Sequence, residues 1–440
     1  MKEQSVERKF VGYVSQNILG MIGISAYILA DTFFISKAEG AAGITALNLV
    51  LPIYGLIFGI GAMLGVGSAI RFNILRARKD ESADEYFSNA LLYAVIFGLI
   101  FIVGGIFIPD RIMEWMGGDA QIVAVGTPYT RIFLLFAPFF MGNHICNAFV
   151  RNDKNPNLAM KATLFSSLFN IVMDYVLMFP LGLGMAGAAW ATACSPIVGI
   201  LICCRHFFSK RCTIKLVWKL PSVKHLITAC KLGTSAFIGE ISSGVTTAIF
   251  NFLILELAGN DGVAAYGVVA NTSIVAISIF NGVSQGAQPL FSQFYGRGDD
   301  RAVRKILKMA VGTAIVLALA VVISAGVLAE PLVRIFNSEN NVQMAAYGVE
   351  GVRIYFVGFL FAGFNIVGAG YLGATENSGW AFVTSIMRGI VAISVCAFVL
   401  ARIFGMTGIW MAFPAAELLT AFCMVIAIRE NGKKGVSLHK

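Results

Sequence analysis

Charge is what this chain of 440 residues has least of. Asp, Glu, Lys and Arg make up only 13% of it, while 58% is hydrophobic and the mean hydropathy is +0.78. A soluble domain carries roughly 25% charged residues, so a soluble enzyme or binding module is excluded. No GxxxxGK[ST] loop is present to hold a nucleotide. The eight cysteines show no CxxC spacing, and with only four histidines they form no metal-site pattern. Most of these cysteines lie in or beside apolar runs and read as small core residues. The first apolar run is long and lacks a small-residue cleavage site, so it is expected to stay as an uncleaved span. The net charge of +9 does not point to nucleic acid, because basic residues crowd the cytoplasmic loops of membrane proteins.

What the chain does have is repeated apolar runs of helical length. They predict an all-α polytopic membrane protein, since the runs are continuous rather than alternating as in a β-barrel. Twelve spans are expected, at about 10–36, 43–70, 87–109, 127–150, 158–181, 185–205, 226–257, 262–290, 306–328, 346–372, 379–402 and 406–428. Assigned to alternate sides, 27 Lys and Arg fall on the side of the termini and six on the other, Lys37, Arg111, Arg131, Arg334, Arg353 and Arg402. That bias predicts that both termini are cytoplasmic.

The longest basic connection falls at the midpoint. It divides the chain into a six-helix lobe over 1–205, a basic cytoplasmic loop over 206–225, a second six-helix lobe over 226–428 and a tail over 429–440. An internal repeat supports this division. Gly43, Ala46, Gly67, Arg78 and Asp80 align with Gly262, Ala265, Gly286, Arg297 and Asp299 at an offset of 219. Gly126 and Arg131 meet Gly348 and Arg353 at 222, and Gly184–Gly187 meets Gly405–Gly408 at 221. With an even number of helices per repeat, the lobes are expected to be related by a pseudo-two-fold axis along the membrane normal.

Against this apolar background the intramembrane acids stand out. Asn170 and Asp174 are four residues apart and share one helical face. Lys161 is the only basic residue between Met160 and Leu201, so local sequence offers Asp174 no partner. Asp31 sits in the same predicament. Such a carboxylate must be protonated, bind a cation, or face polar groups from other helices. Asp31, Asn170, Asp174 and Thr192 together supply two carboxylates, an amide oxygen and a hydroxyl, a set suited to Na⁺ or a shared proton. In the second half, Glu240 shares a face with Gly244, Thr247 and Asn251 and is a candidate substrate or second ion site. Glu417 and His144 fit helix packing better, and Glu256 lies near a helix end. By the repeat offsets Asp31 aligns with Phe250, Asp174 with Cys396 and Glu240 with Met21, so the acids are not duplicated.

Several stretches resemble the multidrug and toxic compound extrusion (MATE) family, in its bacterial MepA-like branch. They are Ala30–Ser36 (ADTFFIS), Arg151–Met160 (RNDKNPNLAM), Asn170–Asp174 (NIVMD), Gly184–Thr192 (GMAGAAWAT), Ala264–Asn271 (AAYGVVAN) and Gln285–Leu290 (QGAQPL). The resemblance covers essentially the whole chain. It implies an antiporter without a cofactor that exports cationic amphiphilic compounds in exchange for H⁺ or Na⁺. It further implies a cation site at Asp31, Asn170, Asp174 and Thr192, and an acid on helix 7 at Glu240. The partners expected are organic cations and the lipid bilayer, with no nucleic acid, and a monomer is expected. A lipid-linked oligosaccharide flippase on the same scaffold is the alternative, but mid-span Lys and Arg are few for a pyrophosphate. Two departures from the family are visible: Tyr355–Thr375 carries no acid, and Phe10–Ser36 carries no proline to bend helix 1.

Overall fold

A computed structural model describes residues 5–337 and 341–437. Lys2 and Lys440, which entered the charge asymmetry above, lie outside the described residues. The described residues are almost wholly helical. We number the long helices α1 (Val6–Gly40), α2 (Ala42–Ala77) and α3 (Ala83–Phe107). Next come α4 (Ala120–Leu135, continuing as Ala137–Asn152), α5 (Pro156–Met178) and α6 (Gly184–Phe207). The second half holds α7 (223–258), α8 (260–296), α9 (Asp300–Phe336), α10 (Val342–Ala374), α11 (378–404) and α12 (406–437). Among the described residues eight stretches are long and apolar enough to cross a bilayer, with 223–296 and 378–433 each counted as one, and the bent α4 taken as one span makes a ninth. The 23-residue α5 is long enough, but it carries Lys161, Asn170 and Asp174.

Local chemistry explains where helices stop and bend. Gly40, Gly259 and Gly405 each take φ near +60°, the left-handed region that glycine enters without steric cost. They separate α1 from α2, α7 from α8 and α11 from α12. The positive-φ residues also report the internal repeat. Gly40 pairs with Gly259 at 219, Lys79 with Gly298 at 219, Lys154 with Glu376 at 222, and Gly184 with Gly405 at 221. The backbone therefore repeats even where the side chains do not. α4 bends by 50° at Phe136, with Pro138 just beyond it. α10 contains a 3₁₀ turn at Phe356–Gly358, and α11 a π-turn at Met387–Val391.

Two compact units emerge, Ser15–Ile241 and Met1–Val14 with Ser242–Lys440. In the first, the opening turns of α7 pack on α2 through glycine. A Cβ on Gly67 would stand 2.8 Å from the Gly233 amide nitrogen, and one on Gly233 2.7 Å from the Met63 carbonyl carbon. In the second, the start of α1 packs on α8 the same way. A Cβ on Gly286 would lie 2.7 Å from Val14 Cα and 2.9 Å from the Tyr13 carbonyl oxygen. Gly67 and Gly286 are repeat partners. Each unit thus includes the first turns of a helix that otherwise belongs to the other half of the sequence.

Candidate functional site

The register of α1 against α5 is set by two glycines. A Cβ on Gly20 would meet Met160 and Thr163, and one on Gly23 would meet Leu164 and Ser167. Both helices run the same way here, so each step up α1 is matched about 143 residues later on α5. Carrying that register two turns further brings Asp31 level with Asp174. Their charges are within electrostatic reach of each other. α5 and α6 pack closely along their length. Gly187 makes it possible, since a Cβ there would lie 2.9 Å from the Leu177 carbonyl carbon. The close approach lets Asn170 Nδ2 donate to Thr192 Oγ1 at 3.3 Å.

These four residues are deeply buried: Asp31 is 9% exposed, Thr192 3%, and Asn170 and Asp174 0%. Most of their acceptors are left open. Asp31 Oδ1, Asn170 Oδ1 and both carboxylate oxygens of Asp174 make no hydrogen bond. Leaving one buried acceptor unmade costs about 1–3 kcal/mol, so four in one place call for a ligand. An oxygen-only set of this kind accepts a proton or a hard cation.

The other sequence candidates fall elsewhere. Glu240 stands exposed on α7, with its carbonyl oxygen 3.5 Å from where a Cβ of Gly55 would sit. Asn251 is half-buried and belongs to the other unit, as do Gly244 and Thr247. Glu256 is exposed. His144 packs edge-on against Phe58, with ring centroids 5.1 Å apart.

Glu417 is not an open acid. Arg388 Nε donates to its Oε1 at 2.7 Å, and Asn365 Nδ2 donates to its Oε2 at 2.7 Å and to its carbonyl oxygen at 2.8 Å. Arg388, counted above with the cytoplasmic charges, sits in the π-turn of α11 instead. A charged partner 29 residues away on another helix leaves no local signal in the sequence.

Sequence reasoning also missed a network that ties the turn between α4 and α5 to the end of α6 and the segment after it. Asp153 accepts from His206 Nε2 at 2.8 Å, from the Thr213 amide at 2.7 Å and from the Thr213 hydroxyl at 2.5 Å. Asp153, His206 and Cys212 offer ligand atoms within 4.8 Å of one another, the spacing of a metal site. The tautomer argues otherwise. Asn155 Oδ1 caps α5 by accepting from the Leu158 amide, so its Nδ2 faces His206 Nδ1 at 3.1 Å. His206 Nδ1 is therefore an acceptor and Nε2 carries the proton that Asp153 receives. Every member is satisfied without an ion. Burial alone would raise the Asp153 carboxyl, but the bonds from His206 and Thr213 outweigh it and hold the group below its ordinary value of 3.8.

Comparison with known proteins places this geometry in context. The MatE family model matches residues 17–176 and 236–399. The chain is 26% identical over 430 residues to the multidrug export protein MepA of Staphylococcus saprophyticus, covering 97% of this chain and 94% of that one. It is 27% identical to MepA of Staphylococcus aureus, covering 93% and 91%. Among solved structures, an outward-facing multidrug resistance MATE family transporter of the MOP superfamily superposes with a TM-score of 0.91. That match is at 22% identity, over 99% of this chain and 97% of the other.

Proposed function

The chain belongs to the MatE family of membrane transporters, and from that premise we propose that it is a secondary antiporter. In this reading it exports cationic amphiphilic compounds in exchange for H⁺ or Na⁺. The substrate class is carried over from the multidrug export relatives. The coupling rests on one observation, the four unpartnered buried oxygens of Asp31, Asn170 and Asp174. With no nucleotide-binding loop in the sequence, an ion gradient is the energy source.

Thr192 orients Asn170 through the bond its hydroxyl accepts. The two aspartates share the incoming charge, because two carboxylates within reach of each other do not both ionise easily in a buried site. A bound proton or Na⁺ removes that repulsion and ties α1 to α5 and α6. Coupling then requires the ion and the drug to favour opposite states of the transporter. Glu240, exposed at mid-helix where a charge does not face lipid, is assigned to substrate cations, and Asn251 to the lining of the other unit. The termini are assigned to the cytoplasm on the Lys and Arg asymmetry.

The test is efflux of a fluorescent cationic dye from proteoliposomes under an imposed pH gradient or an imposed Na⁺ gradient. Drive by one gradient, lost in Asp174→Asn and in Asp31→Asn, is expected and names the ion. Full drive in both variants would sink the coupling assignment.

A further inference from the structure

The connection between α6 and α7 is not a loose tether. It runs without helix from about 208 to 222 and is bonded along its length to the unit beneath it. The Thr213 amide is held by Asp153, the Lys215 amide by Asp84 Oδ1 at 3.0 Å and the Val217 amide by Ser88 Oγ at 2.8 Å. Further on, the Ser222 amide donates to Asn89 Oδ1 at 2.8 Å, and Lys219 Nζ pairs with Glu85 at 2.6 Å. Amides at 213, 215 and 217 turn to the same side because the strand period is two. From Asp84 to Asn89 the anchors climb about 7 Å along α3, so the strap follows the helix over its first turn and a half.

Ile214 is buried against the helices, and beyond it the apolar side chains in the same register turn outward. Leu216 is 53% exposed, and Trp218 and Leu220 are 91% exposed. Below them on α3, Val95, Leu99, Ile100 and Val103 form an exposed apolar face that runs for about 12 Å along the helix. The ladder is thus continuous with the face of α3 that meets lipid. Exposed basic residues surround it, namely Lys210, Arg211, Lys215 and Lys224. There is no acidic residue from Tyr175 to Gly239. Of the nearby acids, Asp84 is engaged by Arg76 at 2.8 Å and Glu85 by Lys219, and Glu81 stands exposed beside Lys215.

We propose that this strap is a membrane anchor. Leu216, Trp218 and Leu220 seat in the interfacial layer beside α3, and Lys210, Arg211, Lys215 and Lys224 bind anionic phospholipid headgroups. Tryptophan at the headgroup level with flanking cations is the composition such a layer selects. The side of the membrane rests on the orientation proposed above. The test below uses no transport signal, so it stands or falls apart from the antiport reading.

The full chain is placed in bilayer nanodiscs of phosphatidylcholine with or without phosphatidylglycerol. Fluorescence of Trp218 is isolated as the difference between the native chain and Trp218→Phe, a change at a side chain that supports no packing. The expected result is quenching of that component by lipids brominated near the headgroup and protection from aqueous iodide. Energy transfer from Trp218 to labelled phosphatidylglycerol should exceed transfer to labelled phosphatidylcholine. That preference should shrink by about fivefold for each of the four basic residues changed to Gln. Quenching by iodide with none by brominated lipid would overturn the anchor, leaving a water-facing ladder suited to a protein partner. Equal transfer to both lipids in the native chain would overturn the anionic-lipid assignment.

Discussion

At positions related by the internal repeat, Asp31, Asn170, Asp174 and Thr192 of one unit correspond to Phe250, Ala392, Cys396 and Phe413 of the other. The backbone is shared down to its left-handed residues, but the centres are filled in opposite ways. In the first unit, oxygen acceptors are buried and left open. In the second, the equivalent volume is aromatic. Tyr355 stacks on Phe413 at 4.3 Å, and Phe250 stacks on Tyr266 at 5.2 Å. The one acid buried there among the described residues, Glu417, is engaged by Arg388 and Asn365. An open set of acceptors is costly and a closed one is not. The difference is what the proposed antiport reading predicts, with open acceptors at the proposed ion site and closed ones where polar groups serve the fold.

The sharpest way to break this contrast is to remove an open carboxylate. Asp174→Asn should take gradient-driven efflux to background. Its thermal stability in detergent should hold or rise, because a buried carboxylate without partners is lost. Paired flux and melting measurements decide this. A large fall in stability would mean that Asp174 is a structural group like Glu417.

The opposite pattern is expected in the second unit. Arg388→Met leaves Glu417 buried without its partner, and should cost about 3–5 kcal/mol. Arg388→Met with Glu417→Leu should recover most of that, since Asn365 keeps its bond to the residue 417 carbonyl. Melting of both variants tests it. Transport lost in Arg388→Met at native stability would instead make this pair part of the mechanism.

Features that the halves share should respond alike. Gly67→Ala and Gly286→Ala each push a methyl into backbone rather than a movable side chain. Each should destabilise by about 1–3 kcal/mol or more. Unfolding of the two variants side by side checks this. A loss in only one would show that the paired contacts are not equivalent.

These contrasts also mark what the sequence revealed. Asp31, Asn170 and Asp174 stood out in the sequence as polar residues in apolar runs with no local partner, but that reading alone does not tell them from Glu417, whose partners lie on other helices. Gly67 and Gly286 were legible as a repeat pair, but the backbone each one faces lies more than 150 residues away in the chain. The repeat of left-handed residues was half hidden, because Lys79, Lys154 and Glu376 take positive φ without being glycine. Arg388 was misplaced for a similar reason: charge counts along a chain do not show which way a helix turns its residues. The network of Asp153, His206 and Thr213 was invisible, since it joins a turn, a helix end and a strap through single side chains.

That network gives the mildest test of the asymmetry. At the position matching Asp153, the second unit has Thr375, which donates to the Tyr371 carbonyl at 2.9 Å and accepts from Asn431 at 2.9 Å. No charge is involved there, so acid sensitivity at this level should belong to the first unit alone. The folded state holds the Asp153 carboxyl below its ordinary value of 3.8. Its ionised form therefore binds fewer protons than the unfolded chain does in the window below that value. The stability it contributes is complete above about pH 4 and is lost as the pH falls through the lowered folded value. Asp153→Asn should cost about 1 kcal/mol at neutral pH and flatten the acid limb of the stability profile, whereas Thr375→Val should lower stability equally at every pH. Melting from pH 3 to pH 7 distinguishes them: an acid limb unchanged in Asp153→Asn would assign that limb to other carboxylates.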